Sequence, residues 1–239
     1  MQAAAPCHAK SKLILCLALL IGGVHVRDAR FNMIEQQIRP WDVLDQRVLD
    51  LIGEVAREDF VPNEYRALAY ADAAIPIGHG QVMMHPREEG RLLQSLAVDG
   101  TDVVLEVGTG TGYFTALLAK SARQVYSVDI FAEFREPAEE KLAMYGIQNV
   151  QLDVGDASRG WGKYGPYDAI AITGSMTELP EEFLQCMNRG GRLFAVLGAP
   201  PIMEAVLVRR TGVQEWSREG LFETLLPPLV NAARPRFVF

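Results

Sequence analysis

The run Val103-Val104-Leu105-Glu106-Val107-Gly108-Thr109-Gly110-Thr111-Gly112-Tyr113-Phe114 constrains the fold of this chain more than any other segment. A strand-forming stretch ends in three alternating glycines, and a helical pattern opens directly after them. A strand that turns this sharply into a helix needs backbone angles and close approaches that a β-carbon obstructs, so the glycines mark a nucleotide-cofactor loop. Glu106 then narrows the cofactor. A dinucleotide loop reads G-x-G-x-x-G and aims a helix N-terminus at a pyrophosphate, which a carboxylate in the preceding strand would repel. Here the spacing is G-x-G-x-G with an acid two residues ahead, an arrangement that favours a cationic head group. S-adenosylmethionine carries a sulfonium and an ammonium and no phosphate, and is the cofactor expected.

Two further strand ends point the same way. Val125-Tyr126-Ser127-Val128 runs into Asp129, about 20 residues past the loop, where such folds place a ribose-binding acid, with Ile130 behind it. Asn149-Val150-Gln151-Leu152 leads to Gly155-Asp156-Ala157, where an acid beside a small residue can reach an adenine amino group. The expected cofactor-binding set is therefore Glu106, Gly108, Thr109, Gly110, Gly112, Asp129, Ile130, Gly155 and Asp156. Any one of the acids alone reads as an ordinary turn or cap residue; three at successive strand ends read as a site.

Around this centre, apolar residues at Met33, Ile34, Ile38, Val43, Leu44, Val48, Leu51 and Ile52 recur at helical spacing and predict an N-terminal helical cap. The segment from Tyr70 to Gln81 is rich in turn formers and reads as a loop. Helices and strands then alternate: a helix from Arg87 to Leu96, the strand at Val103, helices over 113 onward and 133–145, strands ending at Asp129 and Leu152, a strand from Tyr167 to Thr173, a helix from Glu178 to Met187 and a strand from Arg192 to Leu197. The pattern predicts an α/β fold, a Rossmann-like, doubly wound and mostly parallel sheet. A C-terminal antiparallel hairpin is expected from Ala205–Arg210 and Leu221–Leu226, its register left open by Gln214-Glu215-Trp216.

The 239 residues suffice for one sizeable core, and a net charge of −7 without a Lys/Arg cluster argues against a nucleic-acid partner. Cys7, Cys16 and Cys186 have neither paired nor zinc-like spacing, so no disulfide framework and no metal are expected. Lys10 and Lys12 precede an apolar run, Leu13 to Val24, that has the shape of a signal peptide, is short for a span of about 20 residues, and lacks an A-x-A site. A secretory signal, a weak anchor and sequence upstream of the true start all stay open. The last is the expectation adopted, since the globular pattern begins near Phe31. It gives an extension over 1–30, a methyltransferase domain over 31–239, a cytoplasmic location with export left open, no stable membrane association, and a monomer.

Several motifs together resemble the protein-L-isoaspartate (D-aspartate) O-methyltransferases, class I S-adenosylmethionine-dependent enzymes that repair isomerised aspartyl sites. They are Arg57-Glu58-Asp59-Phe60-Val61-Pro62, Ala69-Tyr70-Ala71-Asp72, Ile77-Gly78-His79-Gly80-Gln81, Leu105 to Tyr113, Gly155-Asp156, Gly160-Trp161 and Gly190-Gly191-Arg192-Leu193, within a resemblance running from Met33 to Asn231. The resemblance implies the class I methyltransferase fold, S-adenosylmethionine as cofactor, and methyl transfer to a carboxylate of a damaged protein or peptide. The family's loop typically continues Gly-Gln-Thr-Ile-Ser-x-Pro, whereas this chain reads Gly80-Gln81-Val82-Met83-Met84-His85-Pro86, so both hydroxyls are replaced.

Methyl transfer from a sulfonium to a carboxylate needs alignment and dryness and no general base. A phenol or amine acceptor would want one, and His79 and His85 lie in the right loop. Gln81, Met84 and His79 are accordingly the candidate acceptor-side residues. A different small-molecule or protein acceptor, or a non-catalytic S-adenosylmethionine-binding adaptor, remain alternatives to isoaspartyl repair.

Overall fold

A computed structural model describes residues 28–233. The expectations for the first 27 residues lie outside that range. The N-terminal cap opens with helical backbone over 28–33 (α1), passes through a π-turn at Ile34–Ile38 and a 3-10 turn at Arg39–Trp41, and continues as α2 (Gln46–Glu54). Asp45 caps α2, its carboxylate accepting from the Arg47 amide at 2.9 Å. Of the periodic residues, Met33, Ile38, Val43, Val48 and Ile52 are buried, Ile34 and Leu51 are half-buried and Leu44 is exposed, which seats the cap on the sheet's helical layer.

The Tyr70–Gln81 segment is more ordered than its composition suggested. Ile75–Gly78 (β1) and Gln81–Met83 (β2) pair antiparallel as a short hairpin. Gly78, His79 and Gly80 at its turn have φ of 99°, 51° and 71°. Glycine and proline within such short strands mask the strand signal. Pro86 opens α3 (Pro86–Leu96), where the Glu88 carboxylate accepts from the His85 amide at 3.2 Å as a capping-box contact.

The main sheet has seven strands: β3 (Val103–Val107), β4 (Gln124–Asp129), β5 (Val150–Val154), β6 (Tyr167–Met176), β7 (Met187–Ala199), β8 (Ile202–Arg210) and β9 (Trp216–Glu223). Between them lie α4 (Tyr113–Ser121), α5 (Arg135–Met144) and the short α6 (Glu181–Gln185). The order is β5-β4-β3-β6-β7-β8-β9, with the first five parallel. Buried strand residues such as Val104, Leu105, Val128, Ile170 and Ile172 form near-continuous apolar runs because both faces are covered.

The C-terminal hairpin is one half of a three-stranded antiparallel meander, since β8 pairs with both β7 and β9. Its second strand is Trp216–Glu223, earlier than Leu221–Leu226. A turn closed by the Thr211 amide donating to the Glu215 carbonyl at 2.9 Å brings Trp216 opposite Arg210 and fixes the register. The chain leaves β3 toward β4 on one side, whereas β6 lies on β3's other side. That reversal opens a crevice at the carboxyl ends of β3 and β6.

Candidate active site

The glycine loop starts where β3 ends. Gly108 adopts φ of 104°, and a β-carbon there would run into Thr173 Oγ1. That hydroxyl is itself committed, donating to the carbonyls of Val107 at 2.9 Å and Gly108 at 3.0 Å. Gly112, with φ of 84°, begins α4 and packs on Ala138, where an added β-carbon would lie 3.1 Å from the alanine methyl. Asp129 pins the loop from β4: its carboxylate accepts from the Gly110 amide at 2.9 Å and from the Phe131 amide at 3.0 Å. Burial raises the Asp129 pKa, and the backbone donors oppose that rise.

The crevice is open at its mouth and spans about 590 Å³ with the solvent there included. Gly108, Gly110, Asp129, Ile130, Gly155 and Asp156 line it together, as do Phe131, Phe134 and Thr173 from the sheet side. Ile77, Gln81 and Val82 of the hairpin face them, and Leu229 and Val230 close a third side. Asp156 accepts from the Ser158 amide at 2.9 Å, which holds its carboxyl below the ordinary carboxylate value, and from Asn231 Nδ2 at 3.0 Å. That second contact ties the C-terminal segment to the cleft. The tail is also bound to β6, with the Ser175 amide donating to Pro227 and the Leu229 amide donating to Ser175, both at 2.9 Å.

Five expected site residues lie off this wall. Glu106 is fully buried beneath the loop, its Oε2 accepting from Thr115 Oγ1 at 2.5 Å and Ser127 Oγ at 2.6 Å. Burial pushes its carboxyl up to about 8, so at neutral pH it is protonated and offers no negative charge to a head group. Its place is that of an anchor joining β3, β4 and α4. Thr109 belongs to the same buried network through a 2.6 Å hydrogen bond with Ser127, and Gly112 serves helix packing. Met84 is buried in the core, with its carbonyl accepting from Arg57 Nη2 at 2.7 Å. His79 stacks on Phe131 at the rim. Of the three acceptor-side candidates, Gln81 alone reaches the wall.

The sequence reading missed Phe131 and Phe134, although two aromatics within five residues of a strand-end acid were a visible signal. Leu229 and Val230 carried none, because only the return of the chain over β6 brings them there. Among the described residues the wall carries two carboxylates, Asp129 and Asp156, and no basic side chain. Such a wall suits a cationic head group and disfavours a phosphate. No group of three or more metal-ligating side chains occurs among the described residues, and none of their helices is long and apolar enough to cross a membrane.

A mostly parallel sheet with a glycine loop after β3, an acid from β4 pinning that loop and a cleft at the switch point define a class I methyltransferase-type domain. The sequence profile of the protein-L-isoaspartate(D-aspartate) O-methyltransferase (PCMT) family matches residues 29–232. The chain belongs to that family. Protein-L-isoaspartate O-methyltransferase 1 of Geotalea uraniireducens is 35% identical over 210 residues, covering 87% of this chain and 96% of that protein. The Methanoculleus marisnigri protein-L-isoaspartate O-methyltransferase is 37% identical over 187 residues, covering 78% and 85%. A Plasmodium falciparum protein described as a protein-L-isoaspartate O-methyltransferase, solved with S-adenosyl-L-homocysteine, superposes with a TM-score of 0.73 at 18% identity, covering 84% of this chain and 97% of that one. At that identity the likeness speaks for the fold.

Proposed function

We propose that the protein transfers the methyl group of S-adenosylmethionine to the side-chain carboxylate of an isomerised aspartyl residue in a damaged protein or peptide. The observation that carries this reading is the cleft itself: two carboxylates and no basic side chain on the cofactor side, facing an apolar hairpin across the switch point. Membership of the family supplies the acceptor class.

The residues present fit the cofactor. Gly108 and Gly110 line the cleft with bare backbone, Asp129 and Asp156 would hold the cofactor's ribose and adenine, and Ile130 would pack on its base. When bound, the cofactor supplies an electrophilic methyl on a sulfonium. The reaction is an in-line displacement in which the carboxylate oxygen forms a bond to the methyl carbon as the carbon–sulfur bond breaks. An acceptor carboxylate is already ionised near neutral pH, so the chain has no proton to remove. Its task is to align the partners and exclude water. Ile77, Val82, Leu229 and Val230 supply the dry wall, and the Gln81 amide can donate to the acceptor.

A second reading keeps the cofactor and changes the acceptor. It draws on Val82, which lines the cleft where the family usually has threonine, so this wall lacks one hydroxyl donor. We read the methyltransferase unit as beginning near Phe31, a reading that the family match over residues 29–232 supports. We place its action in the cytoplasm, where the cofactor is made, and read it as a monomer acting on damaged proteins, without nucleic acid.

The test is methylation by protein beginning near Val26, using labelled S-adenosylmethionine and paired peptides differing only in isoaspartyl against normal aspartyl linkage. Alkali-labile label in the isoaspartyl peptide alone is the expected result. Cofactor binding with neither peptide labelled would remove isoaspartyl repair and leave the second reading.

A further inference from the structure

The turn of the β1–β2 hairpin reaches across the mouth of the cleft and rests on the opposite rim. The His79 imidazole stacks on Phe131, with ring centroids 4.2 Å apart and planes 18° from parallel. Its edge meets Phe134 at 5.5 Å and 88°, and the two phenylalanines brace each other at 5.7 Å. Phe131 and Phe134 line the cleft beside Asp129, and Ile77, Gln81 and Val82 of the hairpin line its other side. The stack therefore joins the two walls between which the cofactor would sit.

The hairpin is anchored at its base, where Ile77 packs against the core beside Gly110, and the turn beyond it is exposed. A β-carbon added at Gly78 or Gly80 would meet nothing within 4 Å, so the backbone on either side of His79 stands in open space. Among the described residues the imidazole takes part in no hydrogen bond and no ion pair. Beyond Ile77 the hairpin tip has three successive left-handed residues, and the aromatic stack is its contact with the opposite rim.

We infer that His79 is a cofactor clasp: its ring, stacked on Phe131 and braced by Phe134, latches the hairpin tip across the cleft and sets how quickly S-adenosylmethionine enters and S-adenosylhomocysteine leaves. The inference rests on the cofactor reading proposed above and assigns His79 a positioning role, since a carboxylate acceptor leaves a base nothing to abstract. An aromatic pair of this kind corresponds to about a two- to tenfold change in rate or affinity.

The experiment separates ring from base. His79→Asn removes the ring while tolerating the left-handed backbone; His79→Phe keeps an aromatic face and removes the titratable nitrogens; Phe131→Leu removes the partner. Thermal melting confirms that each variant is folded, calorimetry gives S-adenosylhomocysteine affinity, and stopped-flow displacement gives its dissociation rate. His79→Asn and Phe131→Leu are expected to speed dissociation about two- to tenfold and to weaken affinity in step, with His79→Phe recovering most of what His79→Asn loses in both quantities, less a cost for its left-handed backbone. Unchanged dissociation in His79→Asn and Phe131→Leu would overturn the clasp. So would a His79→Phe variant as low in kcat as His79→Asn with affinity intact, the mark of a base. If the unaltered protein binds neither S-adenosylmethionine nor S-adenosylhomocysteine, the cofactor reading fails and the clasp with it; binding with equal rates in all variants overturns the clasp alone.

Discussion

Arg57 and Glu89 form an ion pair sealed from solvent beneath the acceptor hairpin, with side-chain exposures of 0% and 4%. The same guanidinium donates to the Met84 carbonyl at 2.7 Å and lies 5.0 Å from the ring centroid of Tyr113, the first residue of α4. One residue of the N-terminal cap thus fixes the end of the hairpin relative to the helix that follows the glycine loop. Arg57→Met strands the Glu89 carboxyl in the core and is expected to lower unfolding free energy by about 3–5 kcal/mol. Adding Glu89→Leu should recover a large part of that loss, because the pair is then replaced by apolar volume. Denaturant titrations of the single and double variants check both statements.

Gly108→Ala puts a methyl group against Thr173 Oγ1 at a backbone angle that side chains rarely adopt. The hydroxyl must give up its bonds to the Val107 and Gly108 carbonyls or the loop must move. Loss of stability by about 1–3 kcal/mol and a sharp loss of cofactor affinity are expected, measured by thermal melting and calorimetry.

Asp129→Ala removes the side-chain bond that ties the end of β4 to the glycine loop, from the Gly110 amide, and the local turn bond from the Phe131 amide. With the loop released and the expected ribose contact gone, S-adenosylmethionine affinity should fall at least tenfold, equal to about 1.4 kcal/mol or more. Asp129→Asn, which keeps one acceptor oxygen, should fall between. Isothermal titration separates the three proteins.

The two hairpin positions that lack hydroxyls should respond in opposite ways to gaining one. Val82 is on the cleft wall, so Val82→Thr keeps volume and adds a donor where the acceptor would lie; a few-fold lower KM for an isoaspartyl peptide is expected, equivalent to about 1 kcal/mol. Met84 is in the core, so Met84→Ser leaves a cavity and a buried hydroxyl and should destabilise by about 2–4 kcal/mol without a gain in methylation. Peptide kinetics and melting on both variants distinguish the cases.

Glu106 gives a pH signature. Its carboxyl titrates near 8 in the fold and at about 4.3 in an unfolded chain. Between those values the folded protein keeps a proton that the unfolded chain releases, so stability falls as pH rises through the window and the loss levels off above it. Glu106→Gln keeps a carbonyl oxygen for Thr115 and Ser127 and removes the titration. Its stability relative to the unaltered protein should therefore improve by a few kcal/mol, on the order of 1.4 per pH unit, between about pH 5 and pH 8. Urea unfolding across that range measures it.

The sequence by itself determined the sheet, its parallel centre and the chemistry of the cleft floor. Glycine spacing, strand-end acids and apolar runs are local signals, and each reflects a constraint acting over a few residues: a steric limit at Gly108, a strand end at Asp129, a turn at Gly155. What the tertiary structure decided is which side of each element faces the cleft. The acid at Glu106 and the acid at Asp129 look alike in one dimension, yet one ends a strand with its carboxylate under the loop amides, and the other is drawn into the layer between β3, β4 and α4, where burial keeps its proton. Met84 and Val82 stand two residues apart, but Arg57 pulls the Met84 carbonyl inward while Val82 stays on the wall. The Phe131 partner of His79 and the Leu229–Val230 closure arise from contacts between segments far apart in the chain, which no local pattern encodes because the energy that selects them exists only once the sheet has brought both ends together.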